Sequence, residues 1–448
     1  MAAKTQTARS LAYEVVHAVA AEGAYANLVL PSALGGSSLS ERDRALATEL
    51  VYGSLRREGE LDVVIVHAGK RNLDSLQAEV VTLLRLGVYQ MLYLRIPDHA
   101  AVDETVNLAK DLSLHRAAGL INAVLRNVSR QSEEHWARVV AEDMSSIDAH
   151  PAWIAEKFAT VLGSLEGSAL LHQALEAHND APRVTLVHLP GFSTPADGLC
   201  EYSPLGSTLE SGNPIMAPGV SEGFVRVQDE GSQLAALLLS RVESLEPGSK
   251  VLDMCAGPGG KTAVLAGEAI AAGAQVEAWE KAPHRAKLVE QSISALSRAS
   301  PSTVTIRVGD ALTLSAEEGS FQRILVDAPC SGLGALRRRP EARWRKTPED
   351  LEELVPLQRA LLARALTLVA PGGIVAYVTC SPVVEETSEV VSWEMESRPD
   401  IELIDTPEVL DRVAKIPVVG SRRDQAVQLW TFRHGCDDMF IQLLRKKS

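Results

Sequence analysis

Apolar residues recur at three- and four-residue spacing through the first part of the chain. "ARSLAYEVVHAVAAE", "SERDRALATELVYGSLRREGELDVVI", "AEVVTLLRLGVYQMLYL" and "AVDETVNLAKDL" carry this period, and "AAGLINAVLRNVSRQ" adds a last amphipathic run. The pattern predicts an all-α bundle over residues 1–135. Ser40 with Asp43 reads as an N-cap and its acidic first turn, and Pro97 breaks the third long run. Nothing here reads as a catalytic site; on pattern alone the bundle packs or binds.

Residues 136–225 have a different texture. "HPAWIAEKFATVL" and "EGSALLHQALEAHN" read as helices, then "APRVTLVHL" and "GFVRVQ" as strands, separated by a Gly/Ser/Pro-rich stretch from Gly191 to Gly223. A small α+β module fits. Over residues 226–448 strand and helix signals alternate. Strands are expected at "KVLDMC", "QVEAWE", "VTIRVGD", "RILVDAP" and "GIVAYVTC", and helices near 260–272, 282–299 and 349–369. This alternation predicts a doubly wound, mostly parallel α/β sheet, which binds ligands at the carboxyl ends of its strands.

"VLDMCAGPGGKT" joins a strand to a helix through a glycine-rich turn. Its glycines let backbone approach a ligand, and the helix start offers unpaired N–H groups. It matches neither the dinucleotide fingerprint nor the P-loop. The second strand ends at Glu280, 20 residues beyond Gly260, where a carboxylate can accept from ribose hydroxyls. The third ends at Asp310, within reach of an adenine amino group. Turn, ribose acid and third-strand Asp point together to S-adenosylmethionine; the competing reading is an ordinary turn with surface acids.

"ILVDAPCSGLG" closes the fourth strand. It lacks the Asn/Asp-Pro-Pro-aromatic pattern of enzymes that methylate exocyclic amines, so an amine target is disfavoured. Next comes "ALRRRPEARWRK", with six Arg/Lys against one Glu over residues 337–346. Arg337, Arg338, Arg339, Arg343 and Arg345 can pair with phosphates, and Trp344 can stack on a base. A solvated charged loop is the usual reading of such a run; its place after a strand end favours RNA.

Cys330 and Cys380 each follow a strand, and neighbouring strand ends converge on one pocket. Carbon 5 of a pyrimidine is a poor nucleophile. Adding a thiolate to carbon 6 makes the ring an enamine, whose carbon 5 can attack a methyl sulfonium; a base then removes the carbon 5 proton and the thiolate leaves. Nearby positive charge lowers a cysteine's pKa and helps supply that thiolate. Asp327 is placed for the N3/N4 edge of cytosine. The competing reading of either cysteine is a small buried hydrophobe, and spacing does not rank the two.

Composition narrows the class. The chain has 448 residues, 46% hydrophobic and 4% aromatic, enough for two or three domains with aliphatic cores. Its five cysteines include no CxxC pair, so neither a disulfide framework nor a metal site is expected, and a reducing cytoplasm fits. The N-terminus lacks a signal-peptide h-region and no run reaches 18 apolar residues, so no membrane partner is expected. The net charge of −14 argues against non-specific coating of nucleic acid but not against a local basic groove.

These motifs together resemble the bacterial 16S ribosomal RNA cytosine-5 methyltransferases of the Sun/Fmu (RsmB-type) group over nearly the whole chain. "VQDEGSQL", "DMCAGPGGKT", "DAPCSGLGALRRRPEARWR" and "YVTCSP" match in order, and "FRHGCDDMF" is similar to the family's C-terminal ending. "ERDRALATELVYGSLR", "LLRLGVYQMLYL" and "GLINAVLRN" are similar to the NusB-like RNA-binding bundle of that family. The resemblance implies a NusB-like domain at 1–135, linker helices and a small α+β RNA-binding module at 136–225, and a Rossmann-like S-adenosylmethionine-dependent catalytic domain at 226–448. It implies that Cys255, Ala256, Gly257, Pro258, Gly259, Gly260 and Lys261 cradle the cofactor, with Glu280 on the ribose, Asp310 on the adenine, Asp327 near methionine and target base, and Arg285 among the binding residues. Cys380 would be the nucleophile and Cys330 would assist release of product. Gly257 stands where the family commonly has Ala, and Glu280 where Asp is also frequent; neither departure conflicts with activity. The implied substrate is 16S rRNA at the cytosine numbered 967, with transfer RNA, or a non-catalytic assembly or antitermination role, as alternatives. A monomer is expected.

Overall fold

The computed structural model describes residues 6–144, 149–163, 168–210 and 212–448. The chain divides into two compact units. One comprises Met1–Ala181 with Leu336–Arg345, the other Pro182–Ala335 with Lys346–Ser448.

The first unit is helical, from Ala8–Glu22 to Ser168–Ala177. The expected cap is present: Ser40 Oγ accepts from the Asp43 N–H at 3.2 Å and starts the helix Glu41–Arg56. Pro97 stands at the N-cap of Asp98–Asp111, as a residue with fixed φ and no N–H can. The spaced apolar positions read from the sequence form one core, including Leu11, Leu50, Leu83, Leu84, Ile121 and Leu125. At Gly53 the helix Glu41–Arg56 comes so close to Ala78–Leu92 that a Cβ would overlap the Tyr89 ring, whose hydroxyl donates to Glu49 Oε1 at 2.6 Å. A small residue here permits the close approach of two helices.

The second unit contains two sheets. The smaller pairs β1 (Val184–His188) with β2 (Gly206–Leu209) and β3 (Val225–Val227), all antiparallel. β2 lies in the Gly/Ser/Pro-rich stretch, where turn residues mask a four-residue strand.

The larger sheet contains β4 (Lys250–Asp253), β5 (Gln275–Glu280), β6 (Val304–Val308), β7 (Phe321–Asp327), β8 (Val369–Thr379), β9 (Ile401–Leu403), β10 (Arg422–Arg423), β11 (Ala426–Leu429) and β12 (Met439–Lys446). Its order is β10-β11-β12-β8-β7-β4-β5-β6, with β9 paired to β12. β4 to β8 run parallel, and the C-terminal strands add an antiparallel extension that the strand/helix alternation did not announce. Both faces are covered. Leu325, Ile374, Ala376 and Val378 pack with the helices Glu230–Arg241 and Gly260–Ala272. Ile324, Val326, Val375 and Tyr377 pack on the other face with Pro348–Leu368. Burial on both sides explains the near-continuous apolar reading of β7 and β8. Strand order reverses between β4 and β7, so their carboxyl ends open a crevice.

Gly53→Ala tests the helical core. Helix propensity alone would stabilise by about 1 kcal/mol. Overlap with Tyr89 is expected to reverse the sign, a net loss of about 1–3 kcal/mol, read as a lower urea midpoint. Tyr89→Leu in the same chain is expected to recover part of it; a raised midpoint in Gly53→Ala alone would contradict the packing described.

Candidate active site

The residues singled out for cofactor and catalysis lie at the carboxyl ends of adjacent parallel strands. The turn after β4 begins at a buried carboxylate. Asp253 Oδ2 accepts from Thr262 Oγ1 at 2.7 Å, and burial pushes its pKa up to about 7, with Asp327 adding to the rise. Cys255 follows at the turn; burial and the surrounding carboxylates raise its thiol far above the usual range, which marks it as neutral packing rather than a nucleophile.

The glycines here are sterically required. Gly257 N–H donates to Glu280 Oε2 at 2.9 Å, and a Cβ at Gly257 would overlap that same oxygen. Gly259 has φ 103°, and a Cβ there would lie 2.6 Å from Ser292 Cβ. The Gly257–Pro258 peptide is cis. Arg285 donates to Gly257 O and stands 3.7 Å from Glu280, so its guanidinium braces the turn. Ser292 Oγ donates to Pro258 O at 2.8 Å and receives Arg226 Nη2 from β3 at 2.9 Å. The small sheet thus supports the turn through Ser292.

Glu280 ends β5 with its side chain 5% exposed; its second oxygen accepts from Ala282 N–H at 2.9 Å. Asp310 follows β6. It accepts from Leu312 N–H at 3.0 Å and pairs with Lys281 Nζ at 2.9 Å, and the lysine bond holds its pKa below the ordinary carboxylate value. The close-approach glycines and the carboxylates of Glu280 and Asp310 thus stand at the ends of β4, β5 and β6, where sheets of this kind bind ligands.

Asp327 ends β7 and pairs with Lys261 at 2.7 Å. Burial opposes the lysine's charge, but Asp327, Cys380 and Asp253 outweigh it and raise its pKa, so Lys261 is a buried cation. The two thiols meet beside it. β7 and β8 are in parallel register, Asp327 opposite Val378, and the Cys330 and Cys380 sulfurs lie 3.3 Å apart as free thiols. The Cys380 hydrogen bond, then burial, raises the Cys330 pKa.

Motif reading missed the supports of this pair. Glu386 lies six residues beyond Cys380 and is fully buried. Its carboxylate accepts from Ser331 N–H at 2.7 Å, Ser331 Oγ–H at 2.5 Å and Gln358 Nε2 at 3.0 Å. Gly334 N–H donates to Cys380 O at 2.9 Å, and Asp438 N–H donates to Gly334 O at 2.9 Å. A Cβ at Gly334 would overlap Asp438 O. The motifs "CSGLG" and "FRHGCDDMF" therefore interlock. Asp229 of "VQDEGSQL" accepts from Gly231 and Asp437 N–H groups at 3.0 and 3.1 Å, so that motif is a scaffold.

The basic run departs from the reading of a solvent-facing patch. Its part Leu336–Arg345 belongs to the helical unit. Arg343 is 2% exposed and donates to Asn179 Oδ1 at 2.9 Å and to the Arg56 and Ala149 carbonyls at 3.3 Å. Burial brings its pKa down to about 10. Arg337 is also buried, and Arg345 donates to the Val19 and Gly23 carbonyls. Helix-end carbonyls attract guanidinium groups as phosphates do, which is why composition alone did not separate the two uses. Arg338 is half-buried, while Arg339 and Trp344 reach solvent.

Comparisons with known proteins agree with this architecture. The family described as 16S rRNA methyltransferase RsmB/F matches residues 241–445, and the NusB family matches residues 6–130. A putative methyltransferase of Mycobacterium tuberculosis strain H37Rv is 41% identical, covering 98% of this chain and 96% of its own. The probable ribosomal RNA small subunit methyltransferase B of Bacillus subtilis strain 168 is 30% identical, covering 99% and 100%. A solved structure, that of PH0851, superposes with TM-score 0.76 over 98% of this chain and 99% of its own, at 21% identity, a likeness of fold. The chain belongs to the RsmB/F family of 16S rRNA methyltransferases.

Proposed function

We propose that this chain methylates carbon 5 of a cytosine in 16S rRNA, the one numbered 967 by family resemblance, through a covalent bond from Cys380 to carbon 6. The observation that carries the proposal is the pair of free thiols 3.3 Å apart at adjacent strand ends, with Lys261 and Asp327 beside them. S-adenosylmethionine is the cofactor of this family and supplies the methyl group as an electrophilic sulfonium.

The turn Cys255–Lys261 would hold that cofactor, with Glu280 on the ribose hydroxyls and Asp310 on the adenine amine. Asp310 would exchange its Lys281 partner for the ligand, an ion pair exposed enough to be weak. Lys261 is a buried cation whose charge is favoured in part by Cys380, so it attracts negative charge on that sulfur. Cys380 adds to carbon 6, and Asp327, held by Lys261, orients the N3/N4 edge of the base. Once carbon 5 is methylated, a base takes its proton, the C–H electron pair re-forms the 5,6 double bond, and the Cys380 sulfur leaves with the C6–S pair as thiolate, with Cys330 assisting release. The NusB-like domain at 1–135, the helices of 136–181 and the small sheet of 182–227 would serve RNA contact, with Arg339 and Trp344 as the solvent-facing part of the basic run.

Cys380→Ala is expected to abolish methyl incorporation into 16S rRNA from a strain lacking this gene. Cys330→Ala is expected to leave a slow-migrating protein–RNA band in denaturing gels. Activity in Cys380→Ala above about one-thousandth of the parent would remove it as nucleophile.

The turn gives a second test, read by calorimetry with S-adenosylmethionine. Gly257→Ala forces Glu280 away and is expected to weaken binding about tenfold or more, roughly 1.4 kcal/mol. Glu280→Asp, one methylene shorter, is expected to restore binding in that background. Unchanged affinity in Gly257→Ala would place the cofactor elsewhere.

A further inference from the structure

Two sulfurs at 3.3 Å cannot both be ionised without strong repulsion, so the pair holds at most one negative charge near neutral pH. Either sulfur can carry it, and only one arrangement leaves Cys380 free to attack. The surroundings are asymmetric. On the Cys380 side stands the Lys261 ammonium, tied to Asp327. On the Cys330 side stands the Glu386 carboxylate, bonded to both donors of the adjacent residue, Ser331. A buried anion raises the cost of a second anion beside it, and a buried cation lowers it.

We propose that Glu386 is a positioning residue for methyl transfer, which clamps the Cys330 loop to the Cys380 loop and directs the shared negative charge to Cys380. In this arrangement Cys330 keeps its proton and donates S–H to the Cys380 thiolate, whose lone pair is free for carbon 6. This rests on the proposed role of Cys380 and extends it to a residue that touches neither cofactor nor base.

The clamp is mechanical as well as electrostatic. Ser331 Oγ lies 3.2 Å from Ser381 Oγ, and Gln358 Nε2 bridges Glu386 to Pro329 O at 2.9 Å. The Tyr377 hydroxyl donates to the Glu386 carbonyl at 2.8 Å. These bonds join the residues flanking both cysteines to one carboxylate. Among the described residues, the charged or titratable groups around the pair include Lys261 with its partner Asp327, Tyr377 and Glu386. Tyr377 is held neutral, its pKa raised by burial and by Cys330 and Glu386. Arg423 lies beyond them, donating to the Pro382 carbonyl at 3.2 Å and to Thr387 Oγ1 at 3.3 Å.

The test reads the thiol directly. In full-length Cys380→Ser protein, iodoacetamide alkylation of Cys330 is followed against pH by peptide mass spectrometry. Adding Glu386→Gln is expected to move the midpoint down by about one unit, tenfold in thiolate fraction, and Glu386→Asp to leave it near the parent's. The buried Cys200 and Cys436 report unfolding. If they react in Glu386→Gln, Ser331→Ala serves instead; by freeing the loop it is expected to speed alkylation of Cys330 at fixed pH. An unmoved profile in Glu386→Gln, or an unchanged rate in Ser331→Ala where that variant stands in, overturns the proposal. In the native-cysteine chain, Glu386→Gln is expected to lower kcat at least tenfold with the KM for S-adenosylmethionine unchanged, and Glu386→Asp to retain more of it. A parent protein that neither methylates nor bonds RNA would sink the cytosine reading alone, since alkylation needs no RNA.

Discussion

Parallel pairing of β7 with β8 decides what this molecule can do. With Asp327 opposite Val378, the chain leaves both strands at the same level, and the residues that follow share one pocket. Two cysteines separated by 50 positions in sequence thus come to sulfur–sulfur contact. A shift of one residue would turn one sulfur to the opposite face. The register is held by apolar packing on both faces of β7 and β8 and, at the strand ends, by the Glu386 and Gly334 bonds.

Charge at the site is arranged in the same economical way. Lys261 and Asp327 are paired, Asp253 sits beneath them close to its titration point, and Cys255 is kept neutral. A single cation in low-dielectric surroundings acts strongly on its neighbours, so Lys261 bears on both Asp327 and the Cys380 sulfur. The carboxylates further along, Glu280 and Asp310, stand at the next two strand ends. The candidate residues for cofactor and base therefore lie on successive loops of one sheet, the usual place for ligands in doubly wound folds.

Much of this was legible in the residues. Strand, turn and helix around "VLDMCAGPGGKT" were placed by alternation and glycine content, and the helix boundaries 260–272 agree with Gly260–Ala272. Other parts were hidden for physical reasons. β2 is short and lies among turn residues. β12 is antiparallel, and pairing direction is not written in a run such as "MFIQLLRK". Arg343 carries the composition of a phosphate-binding residue but lies buried among carbonyls, because both partners offer the same acceptor chemistry. Glu386 escaped notice because an acid in a short polar turn has no signature until its donors come from distant residues. Gly257 read as an interchangeable turn residue, yet its missing Cβ is the space that Glu280 occupies.

The central claim is that Cys380 bonds to the pyrimidine ring while the methyl group is added. RNA carrying 5-fluorocytosine at the target position tests it most directly, because a fluorine at carbon 5 cannot leave as a proton does and the bond persists. After incubation with S-adenosylmethionine and digestion, mass spectrometry should find the modified nucleotide on the peptide that contains Cys380. A nucleotide on Cys330 instead, or full turnover with no bonded peptide, would contradict the account.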